Sequence, residues 1–305
     1  MRETSEIAGV LPVFQTPFHE DESIDFETLA REIDWLFACG VDGIVLAMVS
    51  EVLRLDDGER RQLAEFVRQA AGERGPVVIS VGAESSRVAE QFARHAEEVG
   101  ASAVMAIPPV SVAVGEAEIE RYYRRIVDAI GLPVIVQDAS GYVGKPLSIE
   151  LQARLLKEYG PGRVLFKPEA SPIGPRLSAL RDTTGGEARV FEGTGGIALV
   201  DSFRRGIVGT MPGADLIRGI VALWQALRAG DEARVYQLSM PISSLVAVQG
   251  TLDSFLAIEK YLLVKQGVFR NTVVRGPVGY RLDEETRAEV DRLFERLITA
   301  VESSR

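Results

Sequence analysis

Val164-Leu165-Phe166-Lys167-Pro168-Glu169 is the stretch on which the reading of this chain turns. Its apolar run has no alternation, as expected of a strand covered on both faces. Pro168 keeps the residue before it out of the helical region, so Lys167 is held extended and Glu169 returns to the same side two residues on. Lysine is scarce here: Lys145, Lys157, Lys167, Lys260 and Lys265 are the only ones in a Lys+Arg total of 34. Arginine cannot form an imine with a carbonyl, whereas a desolvated lysine with a lowered pKa can. Taken alone, the stretch also describes an ordinary strand-end lysine reaching solvent, or a surface ion pair worth little.

Working outward, the same strand-then-helix unit repeats in both directions. Upstream lie apolar strands at Val10 to Phe14, Ile44 to Met48, Val77 to Val81, Ala103 to Ile107 and Val134 to Gln137. Helical spacing separates them: Phe26, Leu29, Ile33, Leu36 and Phe37 follow a capping Asp25 and stop at Gly40. Further helices are expected at Asp57 to Gly72, Arg87 to Val99, from Glu118, and after a capping Ser148. Downstream come a short helix near Leu177 to Arg181, strands at Val190 to Glu192 and Ile207 to Thr210, and helices at Gly196 to Arg204 and Ala214 to Ala229. Eight alternating units with short connections predict an α/β fold, a (β/α)8 TIM barrel over residues 1–229. Three amphipathic segments without strands, from Asp231, Asp253 and Asp283, predict a C-terminal helical extension over 230–305 that packs on the barrel.

Composition narrows the function classes. A formal charge of −10 with dispersed arginines argues against a nucleic-acid binder, though not against an anionic small molecule. The single cysteine, Cys39, excludes an intrachain disulfide framework and fits a reducing compartment. The first residues lack a signal-peptide pattern, and the longest apolar run, from Ala101, is broken by Pro108-Pro109. A soluble, cytoplasmic protein is expected, with no membrane partner. His19 and His95 have no spaced Cys or His partners, so no metal site is expected.

Catalytic residues of such barrels gather at the carboxyl ends of strands, where Lys167 falls. Other strand ends are polar as well: Val49-Ser50-Glu51 after the second, Gln137-Asp138 at the fifth, Glu192-Gly193-Thr194-Gly195-Gly196 after the seventh. Ser50 could bind a carboxylate or cap the next helix. Asp138 could face a ligand or cap a helix. Gly193 and Gly195 let backbone approach a ligand closely, or simply make a tight turn.

Across essentially its whole length the chain resembles the dihydrodipicolinate synthase/N-acetylneuraminate lyase superfamily of class I aldolase-type barrels. The resemblance is carried by Pro12-Val13-Phe14-Gln15-Thr16-Pro17-Phe18, Ser50-Glu51 with Leu55 and Glu59-Arg60, Pro108-Pro109, Gln137-Asp138, Phe166-Lys167, Gly206 to Gly209 and Arg275-Gly276-Pro277. It implies that Lys167 forms a Schiff base with a 2-keto acid, that no cofactor is needed, and that the protein is a homotetramer. Three departures point away from lysine biosynthesis: Gln137 stands where the family places a relay tyrosine, Val110-Ser111 replaces an aromatic pair, and Met48-Val49-Ser50-Glu51 replaces Thr-Thr-Gly-Glu. Gln137-Asp138-Ala139 with Lys167-Pro168-Glu169 is closest in motif to the 2-keto-3-deoxy-L-arabonate dehydratase branch.

The expected reaction is dehydration of a 2-keto-3-deoxy sugar acid, with Lys167, Glu169 and Gln137 catalytic. Val49, Ser50, Asp138, Gly193, Gly195 and a replacement relay, Tyr142, are expected around the substrate. The alternatives are a pyruvate-dependent aldolase or a dihydrodipicolinate synthase-type lyase, and, outside enzymes, a keto-acid-binding sensor or scaffold.

Overall fold

Every pair of named strands in the computed structural model is parallel. The structure describes residues 7–141 and 145–303. Along the chain run β1 (Gly9–Val10), α1 (Phe26–Ala38), β2 (Ile44–Leu46), α2 (Asp57–Ala71), β3 (Val77–Ser80), α3 (Ser86–Glu98), β4 (Ala103–Ala106) and α4 (Glu116–Ala129). Then follow β5 (Val134–Asp138), α5 (Ile149–Tyr159), β6 (Val164–Pro168), α6 (Ile173–Thr183), β7 (Phe191–Glu192), α7 (Leu199–Arg204), β8 (Gly209–Thr210) and α8 (Ile217–Ala229). β2 to β6 are consecutive neighbours and β1, β8 and β7 form a second set. Parallel bridges Val13–Val45 and Phe166–Val190 join the sets and close the barrel.

Strand alternation sorts the side chains into two layers. Leu11, Val13, Val45, Val78, Ala103, Met105, Ile135, Leu165 and Phe191 pack together inside the barrel. Val104, Val134, Val136, Val164 and Phe166 belong instead to the layer between strands and helices. With a side-chain period of two, Lys167 follows Leu165 inward and Gln137 follows Ile135 inward, whereas Asp138 follows Val136 outward.

Several local details differ from the sequence reading. β1 is two residues long because Pro12 brings no N–H to the ladder; contact resumes where Val13 donates to the Pro212 carbonyl at 2.7 Å. α6 begins earlier than expected, since Pro175 sits in its first turn, where a missing N–H costs nothing. α7 begins later, after Gly195 and Gly196 at φ +70° and +103°. The caps hold as read: Asp25 accepts from the Thr28 N–H at 2.9 Å and Ser148 from the Leu151 N–H at 3.0 Å.

The chain ends in α9 (Glu232–Ala247), α10 (Leu252–Lys265) and α11 (Glu284–Glu302). α9 and α11 pack on α8, while α10 abuts the 3-10 turn Met48–Ser50. Leu238, Ile242, Ile258, Leu262, Val290 and Phe294 share one apolar cluster with the barrel's outer layer, each large side chain contributing about 2 kcal/mol of burial. Among the described residues, no helix is long and apolar enough to cross a membrane.

Candidate active site at the carboxyl end of the barrel

β5 and β6 pair in register, with Gln137 beside Lys167. Both side chains point to the barrel axis, and Glu169, two residues past Lys167, returns to them. The Lys167 amine donates to Glu169 Oε1 in a short contact, and both residues are buried. The Gln137 amide donates to the same carboxylate at 3.3 and 3.4 Å. Burial pushes the Glu169 carboxyl above its ordinary range, against the lowering pull of Lys167 and of the Gln137 hydrogen bond. Gln137 thus meets Glu169 rather than open space, a pairing the sequence reading did not anticipate.

Gly193 closes the third side. A Cβ there would lie 2.6 Å from Glu169 Oε1 and 2.8 Å from Lys167 Cε, so a larger residue would push the ends of both side chains out of place. Gly195 plays a different part: it takes φ +70°, and its Cα faces Val246 and Phe255 of the C-terminal helices. Glu192 holds this loop, accepting from the Thr194 N–H at 2.6 Å and from the Thr210 hydroxyl at 2.7 Å.

Val13, Ala47, Met48, Val49, Met211 and Phe255 complete the walls around Lys167, Glu169 and Gln137. The free volume there is about 20 Å³, roughly room for one water. Met48 and Val49 open the 3-10 turn, whose first N–H groups have no partner within the turn.

Two residues expected at the substrate are placed elsewhere. The Ser50 hydroxyl is fully enclosed, donating to the Phe14 carbonyl at 2.6 Å and accepting from the Ala47 N–H at 3.2 Å. It builds the turn behind Val49. The Asp138 carboxylate, on the outward face, accepts from the N–H groups of Ser140 at 3.0 Å and Leu147 at 2.9 Å. It shapes the loop after β5. Tyr142 lies outside the described residues.

Met48 and Phe255, given no site role from the sequence, line the pocket, and beneath the turn Glu51 forms a buried ion pair with Lys260 that local spacing does not reveal. Lys260 carried the same signal that singled out Lys167, a scarce lysine in an apolar setting. Among the described residues, no group of three or more His, Cys, Asp or Glu side chains could hold a metal ion.

Fold and site together define the class: a closed (β/α)8 barrel whose carboxyl rim carries a buried lysine–carboxylate pair under a glycine loop. The chain belongs to the dihydrodipicolinate synthetase family, whose pattern matches residues 6–297. It is 31% identical to L-2-keto-3-deoxyarabonate dehydratase of Azospirillum brasilense over 298 residues, covering 95% of this chain and 94% of that one. An Escherichia coli protein assigned as a 2-dehydro-3-deoxy-D-pentonate aldolase is 26% identical, covering 95% and 97%. The crystal structure of dihydrodipicolinate synthase from Rhodopseudomonas palustris superposes with a TM-score of 0.85 at 27% identity, covering 95% and 97%.

Proposed function

We propose that this family lyase dehydrates a 2-keto-3-deoxy acid through an imine on Lys167, its reacting end, C1 to C4, being that of a 2-keto-3-deoxy sugar acid. The observation that carries the reading is the buried contact between the Lys167 amine and Glu169. A lysine attacks a carbonyl only as the free amine, and a buried carboxyl of raised pKa is suited to hold the proton it gives up.

Lys167 Nζ adds to C2, and loss of water gives a protonated imine. The imine acidifies C3, and Glu169 accepts the C3 proton as the enamine forms. The enamine expels the C4 hydroxyl, which leaves as water with a proton returned by Glu169. Hydrolysis of the imine then frees the lysine and a keto acid poorer by one water. In this scheme Gln137 orients Glu169, the backbone at Val49 receives the substrate carboxylate with Ser50 bracing the turn, and Gly193 leaves room for the imine. The motif Gln137-Asp138-Ala139 and the dehydratase from Azospirillum favour elimination. A homotetramer is proposed with it on family grounds.

Retro-aldol cleavage through the same imine is the second reading, favoured by the Escherichia coli relative. The first experiment is borohydride reduction with pyruvate, followed by peptide mass spectrometry. An adduct at Lys167, absent in Lys167→Ala, is expected; no adduct excludes both enzymatic readings and leaves a keto-acid-binding protein. Product analysis with a panel of 2-keto-3-deoxy acids then separates a dehydrated keto acid from pyruvate plus aldehyde.

A further inference from the structure

Beside the catalytic pocket lies a second, larger space. Ile107 and Ala139, just past the ends of β4 and β5, form its inner wall; Val110, Val112, Val114 and Ile119 are among the other lining residues. Its volume is about 190 Å³, against about 20 Å³ at Lys167. An apolar cavity of about 150 Å³ already accepts benzene.

Two observations tie this cavity to the reaction. The strand register sets Ala106 beside Val136 and Gln137 beside Lys167, so Ile107, Gln137 and Lys167 stand on adjacent strand ends, about 5 Å apart from strand to strand. Met48, which lines the catalytic pocket, packs against Ile107 and Ala139, so these three side chains are the partition between the two spaces. Methionine is the side chain best able to yield such a partition, having three rotatable bonds and no branch.

The walls also state what the cavity takes. The N–H groups of Val110 and Ser111 are both spent on the Glu84 carboxylate, each at 2.9 Å, so at these two positions the loop has no backbone donor left to offer. Val112 is 60% exposed on that loop, an apolar side chain facing solvent. Among the described lining residues, Lys145 is the one cation. A hydroxylated tail entering here would give up water to lie against Ile107, Val110, Val112, Val114 and Ile119, which costs free energy. An apolar tail gains by leaving water.

We infer that this cavity is the specificity site for the part of the substrate beyond C4, and that it selects 2-keto acids carrying an apolar group of about ring or branched-chain size. The inference rests on the imine reading at Lys167 and deepens it by naming the substrate class. Met48 turns aside as the tail passes, and the two spaces become one.

Competitive trapping tests it. The wild-type protein is incubated with equal concentrations of pyruvate and 2-oxo-4-phenylbutanoate, reduced with borohydride, and the two adduct masses at Lys167 are compared. The phenyl acid is expected to exceed pyruvate about tenfold, about 1.4 kcal/mol of selectivity. In Val114→Asp the ratio is expected to fall by a similar factor. Val112→Asp makes the same test at an exposed position, where folding is not at stake. A wild-type ratio near one, the result if another copy of the chain filled the cavity, overturns the inference. So does a ratio left unmoved by Val112→Asp. Failure to trap either acid on Lys167 refutes the imine reading itself, a distinct result.

Discussion

Lys260 and Glu51 form a fully buried ion pair at 2.5 Å, and it ties the C-terminal extension to the turn that lines the pocket at Lys167. All three ammonium protons are used: besides Glu51, the Lys260 amine donates to the carbonyls of Thr16 at 2.9 Å and Val273 at 2.7 Å. Glu51 sits at φ +60°, a left-handed conformation that costs a residue with a Cβ about 1–2 kcal/mol. The pair holds Glu51 there, and Glu51 ends the turn Met48–Ser50.

Breaking one half of this pair leaves a buried charge alone. Lys260→Met is expected to cost about 3–5 kcal/mol in urea unfolding. The double variant Glu51→Gln with Lys260→Met is expected to recover much of that loss. If the double variant is as unstable as the sum of its parts, the pair is not what holds the turn.

Glu169→Gln keeps the shape of the site but removes the proposed proton acceptor. Imine formation with pyruvate is expected to slow by about 10²–10⁴-fold. The pH dependence of the rate is expected to change as well, because the Glu169 carboxyl no longer takes part in the proton transfers. Stopped trapping time courses between pH 6 and 10 measure both. An unaltered rate and profile would remove Glu169 from the mechanism.

Gly193→Ala places a methyl group against Lys167 and Glu169. A displacement of about 1 Å at the reacting atoms costs about 10²-fold in rate. Trapping at Lys167 is expected to slow by that order while the circular dichroism spectrum stays that of the wild type. Wild-type trapping in this variant would show that the pair tolerates crowding from the loop.

Glu32 gives the fold a pH dependence of defined sign. Its carboxyl is buried beneath the barrel rim, where the Gln15 N–H donates to it at 2.9 Å and the charge of Lys260 is felt. Burial raises it from 4.5 to about 8. Below 4.5 it is protonated folded or unfolded, and its contribution is fully present. Between 4.5 and about 8 the unfolded chain ionises it and the folded chain does not, so stability falls as pH rises. The slope from this group is at most about 1.4 kcal/mol per pH unit. Glu259 and Asp215, also raised by burial, act in the same direction. Glu32→Gln is therefore expected to flatten, not abolish, the decline between pH 5 and 8 in urea titrations. Parallel stability curves for variant and wild type would contradict the assignment.

The sequence by itself determined the alternation of strands and helices, the caps at Asp25 and Ser148, and the pairing of Lys167 with Glu169 across Pro168. These rest on interactions among residues a few positions apart, which local spacing records directly. It also contained the reason Asp138 turns away from the site, because a period of two carries Gln137 inward and its neighbour outward. Only the tertiary structure decided that Gln137 meets Glu169, that Gly193 lies against the lysine, and that Lys260 reaches Glu51 across 209 positions. Those contacts exist because bridges at Val13 and Phe166 close the barrel and bring distant strand ends onto one rim. No periodicity in a linear chain encodes which ends will meet there; closure does, and the pocket at Lys167 is a product of that closure.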